Sequence, residues 1–208
     1  MDLNAIKYDI KYVVDGKKYV CNLSENQHFS LDAVVEDDVL KVKLNAKAKV
    51  RFLKFDIRLP YQYNSTDRIF VNGYQSWTDS MEYKPSGQMK ELTRLTEFFV
   101  TKTLWRRIGL PKAGDILFWD YPRKSGVFYG WSYGYVRRGE NVEIFGSLTE
   151  RYGYTVVTFD CNENQIIVSK ELQGVEYMGE NKLLELAYIS DKYEDAFDLY
   201  FNKMGVKP

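Results

Sequence analysis

The chain has one histidine, two cysteines and five prolines among 208 residues, and its 29 basic side chains are balanced by 29 acidic ones. Each scarcity removes a class of chemistry. Nucleophilic triads need a base within reach of serine or cysteine, and the single histidine, His28 in "ENQHFS", has nothing beside it in sequence to make it one. It reads as a partly exposed histidine at a strand end. No GxSxG, no phosphate-cradling P-loop and no GxGxxG occurs, so no cofactor is expected. Cys21 and Cys161 lie far apart and match no metal spacing. They read as reduced packing residues, with a bridge across a sheet as the alternative, and histidine- or cysteine-based metal sites are excluded by count.

Zero net charge with scattered lysines offers no clustered positive field for phosphates, which argues against nucleic acid as a partner. No run approaches the roughly 20 apolar residues of a membrane span. The opening "MDLNAIKYDIKYVVD" alternates apolar and charged residues, unlike a signal peptide. A cytoplasmic protein without a membrane partner is expected, and the sequons at Asn22 and Asn64 then read as chance matches.

What the chain has in plenty is aromatic side chains, 16% of the residues, with 17 tyrosines. Aromatic and β-branched residues favour the half-buried surface of a sheet. Aromatic faces also stack on the C–H faces of sugars, with the tyrosine hydroxyl as a polar handle. Composition therefore predicts β structure and permits carbohydrate.

The clearest pattern is "LKVKLNAKAKVRF", Leu40 to Phe52, apolar on even positions and mostly lysine on odd ones. This period of two gives one buried and one solvated face of an antiparallel sheet. Its length suggests a bend near Asn45. The phase then flips, with Leu53, Phe55, Ile57 and Leu59 apolar on odd positions, so a β-bulge is expected near Phe52–Leu53. Further strands are read at Ile6 to Val14, Lys18 to Leu23, Arg68 to Val71, Val142 to Leu148, Tyr154 to Phe159, Gln165 to Ser169 and Leu183 to Ile189, several separated by short turn signals. In "GVFYGWSYGYV", Val127, Tyr129, Trp131, Tyr133 and Tyr135 share one face and Gly130, Ser132 and Gly134 the other. Glycines inside a strand let a backbone, sheet or ligand approach. The aromatics either fill the core or form a sugar-binding platform.

The fold class is thus mainly β, an antiparallel β-sandwich in a single domain over 1–208. Residues 190–205 supply a C-terminal α-helix, with Tyr193, Ala196, Phe197, Tyr200, Phe201 and Met204 at helical intervals, Asp191 as cap and Gly205 then Pro208 as stop. Its apolar stripe is wider than one surface contact needs. The stretch Met89 to Ile108 is ambiguous, with threonines and Phe98-Phe99-Val100 arguing against a clean helix, and reads as a long excursion or one that is helical in part. A catalytic carboxylate pair among Asp115, Asp120 and Glu150 is the one enzymatic option that composition leaves.

One loop stands out. In "FVNGYQSWTDS", Phe70 to Ser80, Asn72–Gly73 is a turn dipeptide, followed by Tyr74, Gln75 and Trp77. A loop tip with tryptophan and amide groups either folds onto itself or binds a ligand. "RIFVNGYQSWTDS" resembles a motif near the start of glycoside hydrolase family 36, the α-galactosidases and their relatives, and "YEDAFDLYFNKMGVKP" resembles the helix joining that family's N-terminal β-supersandwich to its catalytic (β/α)8 barrel. The resemblance implies a non-catalytic domain whose parent is a retaining α-galactosidase. The family's catalytic aspartates belong to the barrel, so no catalytic residue carries over to this chain. It implies that Trp77 walls the galactose pocket with Tyr74 and Gln75 in support, and that Asn72 and Gly73 shape the loop. The implied partners are the barrel of the same parent chain, an α-galactoside at a shared site, and further copies of the chain in a homo-oligomer. The alternative is a stand-alone carbohydrate-binding module.

Overall fold

The computed structural model describes residues 5–73, 80–89, 124–172 and 174–206. Twelve strands occur among them: β1 (Lys7–Val14), β2 (Lys17–Cys21), β3 (Phe29–Glu36), β4 (Val39–Pro60), β5 (Arg68–Val71), β6 (Met81–Tyr83), β7 (Val127–Trp131), β8 (Tyr133–Arg138), β9 (Asn141–Ser147), β10 (Tyr154–Asp160), β11 (Gln165–Glu171) and β12 (Glu176–Lys192). One helix follows, α1 (Tyr193–Lys203). All pairings are antiparallel, in the order β6-β5-β8-β9-β12-β4-β11-β10-β7, with β3 and the β1–β2 hairpin on the other edge of β4. The mainly β architecture with a C-terminal helix is as expected.

β4 is the spine. Its first half lies between β3 and β12, its second between β1 and β11. In the first half Leu40, Val42, Leu44 and Ala46 are buried while Lys43, Asn45 and Lys47 are exposed. The face then switches as the phase flip predicted. Lys11 pairs with Lys54 and Tyr12 with Phe52, so Leu53 is the extra residue of a bulge, and beyond it Phe55, Ile57 and Leu59 turn inward. At Asn45, where a bend is expected, the pairing is regular on both sides, and the irregularity comes slightly later, where Lys47–Lys49 oppose a single residue of β12 between Tyr177 and Gly179.

The flip also brings charge to the outer face. Asp9 and Asp56 face each other across the ladder, a like-charge pair neutralised by Lys54, which lies 2.5 and 3.0 Å from them, and by Arg58, 3.1 Å from Asp9. Such like pairs are destabilising unless bridged.

The main core runs from Ile10 and Phe29 through Phe52, Phe55 and Ile57 to Phe128, Phe159 and Leu186. Burying each such side chain contributes about 1.5–3 kcal/mol. A second cluster joins Tyr135, Val142, Ile144, Ala187 and Ile189 to Ala196 and Tyr200 of α1. The two cysteines are free thiols, and burial pushes the Cys161 thiol up to about 12, consistent with the packing role. His28 stands just before β3, bonded through Nδ1 to the Tyr12 hydroxyl at 3.0 Å.

α1 differs from expectation at its start. Asp191 does not cap it, because β12 continues through Lys192, and Tyr193 N–H still donates to the Glu140 carbonyl. The stop behaves as predicted: Gly205 has φ +75°, its N–H donates to Asn202 O, and Val206 N–H donates to Phe201 O. These are the paired bonds of a Schellman ending.

Candidate functional site

The candidate loop leaves β5 at Asn72–Gly73 and returns at Ser80 to β6. Tyr74, Gln75 and Trp77 lie outside the described residues, as do Asp115, Asp120 and all of the excursion read at Met89 to Ile108 beyond Met89. The two ends of the loop are described, and they are tied together. Gly73 N–H donates to Ser80 Oγ at 2.9 Å, and the same hydroxyl donates to Asn72 Oδ1 at 3.4 Å.

Asn72 is also fastened to β7. Its Nδ2 donates to the Trp131 carbonyl at 3.2 Å, and Trp131 N–H donates to the Asn72 carbonyl at 2.9 Å. The sheet curls so that β7, the last strand of the order, returns beside β5. Gly130 permits this approach: a Cβ there would stand 2.6 Å from Asn72 N and 2.7 Å from its oxygen. Gly134 does the same for the Phe159 ring and the Phe70 carbonyl. The glycines in this stretch therefore admit backbone and rings of the chain itself.

The other end of β5 is held by Asp67, fully buried, which takes a two-pronged ion pair from Arg138 at 3.1 and 3.2 Å. Asp67 also accepts the Asn64 N–H at 2.9 Å, closing the turn that leads into the strand.

Across the middle of β5, Phe70 pairs with Glu82 on one side and Tyr135 on the other. The Tyr135 ring lies on the Phe70 ring, and its hydroxyl donates to Glu82 Oε1 at 3.0 Å. Arg137 grips the same carboxylate with Nε at 2.8 Å and Nη2 at 2.5 Å. The Arg137 bonds hold Glu82 below the usual carboxylate range, against the opposing effect of partial burial. Burial first, then hydrogen bonding to Tyr193 and Glu82, pushes the Tyr135 hydroxyl well above its ordinary value. Glu82 is thus an ionised brace with its lone pairs engaged, suited to fixing β6 rather than to moving protons.

The rings continue to the helix. Phe197 stands edge-on to Tyr135 at 5.8 Å and to Tyr133 at 6.3 Å, and follows Tyr193 and precedes Phe201 at 5.1 and 6.1 Å. A ladder of aromatic rings therefore runs from the strand that carries the loop to the C-terminal helix. Tyr193 itself stands edge-on to Tyr135 at 5.8 Å, and it, Phe201 and Met204, with Leu199 on the other flank of α1, are more than 40% exposed.

The stretch read as one strand, Gly126 to Val136, is two. Ser132 takes φ +63°, and β7 and β8 diverge there to different neighbours. Tyr129 and Trp131 pack with Val156 in a cluster of their own, whereas Tyr135 lies under α1. Tyr129, Trp131 and Tyr135 are all buried, so they present no open platform. Glu150 accepts the Thr155 N–H at 2.7 Å and lies 3.8 Å from the buried Lys170 ammonium, which serves the β-hairpin. Among the described residues no group of three histidine, cysteine or acidic side chains is arranged to hold a metal ion.

Sequence reasoning singled out Asn72, Gly73, Gly130 and Trp131 but missed the parts played by Ser80, Glu82 and Arg137. Ser80 closes the quoted motif, and a small hydroxyl at the far end of a turn-containing loop was the available signal. The Glu82–Arg137 pair had none, because 55 positions separate its members in sequence. Compared with protein-family models and with curated proteins, the chain matches none.

Proposed function

We propose that this chain is the non-catalytic β-supersandwich domain of a glycoside hydrolase resembling the α-galactosidases of family 36. In this reading it supports a catalytic (β/α)8 barrel of the same parent chain and lends the loop at Asn72–Ser80 to the wall of the galactose pocket. Trp77 supplies the flat apolar face for the sugar, Tyr74 and Gln75 flank it, and the parent hydrolyses α-galactosides with retention.

The observation that carries the reading is the ring ladder. The two segments that resemble the family, the strand and loop from Arg68 to Ser80 and the helix from Tyr193, are coupled through Phe70, Tyr135 and Phe197. The same helix still leaves Phe201, Met204 and part of Tyr193 exposed. An apolar stripe of this kind, continuous with the support of the loop, suits a surface on which a second domain packs. A complete carbohydrate-binding module on the Tyr129–Tyr135 face is less well supported, because Tyr129, Trp131 and Tyr135 are buried and only Tyr133 is partly open.

The test is to read the source gene across the codon after Pro208. Sense codons opening into a barrel with paired catalytic aspartates support the proposal; a stop codon overturns it. In the longer protein Trp77→Ala should raise KM for an α-galactoside by about tenfold, the loss of one aromatic–sugar contact. An unchanged KM removes Trp77 from the pocket.

A further inference from the structure

Asn72–Gly73 is also a chemically unstable dipeptide. In flexible chains the glycine nitrogen attacks the asparagine side-chain carbonyl carbon, because glycine has no side chain to obstruct the approach. The new N–Cγ bond forms a five-membered imide, the Cγ–Nδ2 bond breaks, and the nitrogen leaves as ammonia with the proton lost from the glycine amide. Water then opens the imide at either carbonyl, leaving aspartate or isoaspartate.

We propose that Asn72–Gly73 is a latent site of this modification, held closed by Ser80 and Trp131. The three polar atoms the reaction involves are already engaged. The nucleophile, Gly73 N, points its hydrogen at Ser80 Oγ, 2.9 Å away. The leaving group, Asn72 Nδ2, is bonded to the Trp131 carbonyl at 3.2 Å, and Oδ1 accepts from Ser80 at 3.4 Å. The backbone rotation that would bring nitrogen and Cγ together is opposed by the Trp131 N–H on the Asn72 carbonyl, at 2.9 Å. Gly130 keeps this contact tight, since even a Cβ has no room there.

The reaction would act on the base of the loop itself. Isoaspartate inserts an extra backbone carbon and a negative charge between β5 and residue 73, and removes the amide that Trp131 holds. The loop would lose its anchor to β7 while the rest of the sheet stayed intact. The contacts at Asn72 and Gly73 close the site whether or not the loop walls a sugar pocket.

The test compares ageing of the purified chain, folded and in urea, with Ser80→Ala and Ser80→Thr, followed by peptide mapping and enzymatic isoaspartate detection. The folded protein should convert at residue 72 about tenfold more slowly than the unfolded one, the factor that ~1.4 kcal/mol of hydrogen bonding gives. Ser80→Ala should remove most of that protection, and Ser80→Thr, which keeps the hydroxyl, should retain it. Hydrogen exchange at the Gly73 amide should accelerate in Ser80→Ala in parallel, separating loss of this bond from loss of the fold. Conversion in the folded protein as fast as in urea overturns the proposal, and so does a Ser80→Ala variant that ages as slowly as the parent.

Discussion

Phe70 and Tyr135 stack almost parallel on neighbouring strands, ring centroids 4.8 Å apart and planes 7° apart. The pair sits between the ion-paired Glu82 and the helix ring Phe197, so it joins the loop-bearing β-hairpin to α1. Such ring pairs contribute about 0.5–1.5 kcal/mol beyond the area they bury. A double-mutant cycle of Phe70→Leu and Tyr135→Leu in urea unfolding should therefore return a coupling energy of about 1 kcal/mol. Additive single effects would show that the stack is incidental.

Gly146 faces the Tyr200 ring so closely that an added Cβ would lie 2.5 Å from two ring atoms. The ring has little freedom to retreat, being buried with its hydroxyl bonded to the Ser147 carbonyl at 2.7 Å. Gly146→Ala should cost about 1–3 kcal/mol, the usual cost of overpacking, and expose α1 to protease. Adding Tyr200→Ala should then cost much less than it does in the parent. A Gly146→Ala protein with an unshifted melting curve contradicts the contact.

Acid stability should depend on Glu82. Its folded pKa is depressed, chiefly by the Arg137 bonds, below the unfolded value of about 4.3. The unfolded state then binds the proton more readily, so the stabilisation is present above that value and is lost as pH falls through the lower, folded one. Between about pH 5 and pH 3, Glu82→Gln should show a shallower loss of melting temperature than the parent. Parallel curves for the two proteins would rule out a titrating brace.

How much of this was legible in the sequence follows from what each element's signal depends on. The bulge at Leu53 was legible because a strand that keeps its apolar side chains on the core across a phase flip must insert one unpaired residue where the phase changes. The break at Ser132 was not: Tyr133 and Tyr135 keep the odd positions of Val127, Tyr129 and Trp131 straight through it, and serine is not a residue that announces positive φ. β3 gives a weak signal although Phe29, Leu31, Ala33 and Val35 alternate, because Val34 blurs the polar face. The Asp191 cap was expected because caps usually mark a helix after a loop, and here a strand leads into the helix with no loop between them. For the site, local signals found the asparagine and its glycines, whereas the clamps on β5 are long-range pairs that only the curled sheet assembles.

Concentrated protein should self-associate through α1. Phe201, Met204 and part of Tyr193 leave a half-exposed apolar stripe beside the buried Ala196 and Tyr200. Light scattering over a wide concentration range should show a rising mean mass, and Phe201→Glu should suppress it without lowering the melting temperature, since that ring is 45% exposed. A monomer at every concentration would leave the stripe without a role in association.

Galactose should bind the isolated chain only weakly, with a Kd above about 1 mM, or roughly −4 kcal/mol. If the sugar sits between this domain and a barrel, the chain alone supplies one wall of the pocket. It can neither desolvate the hydroxyls on the far side nor fix the ring's orientation, and both losses fall on the same small ligand. Titration calorimetry with the isolated chain therefore separates the two readings of the loop. A sub-millimolar isotherm that Trp77→Ala abolishes would mean a complete site within these 208 residues, and the chain would be a binding module in its own right.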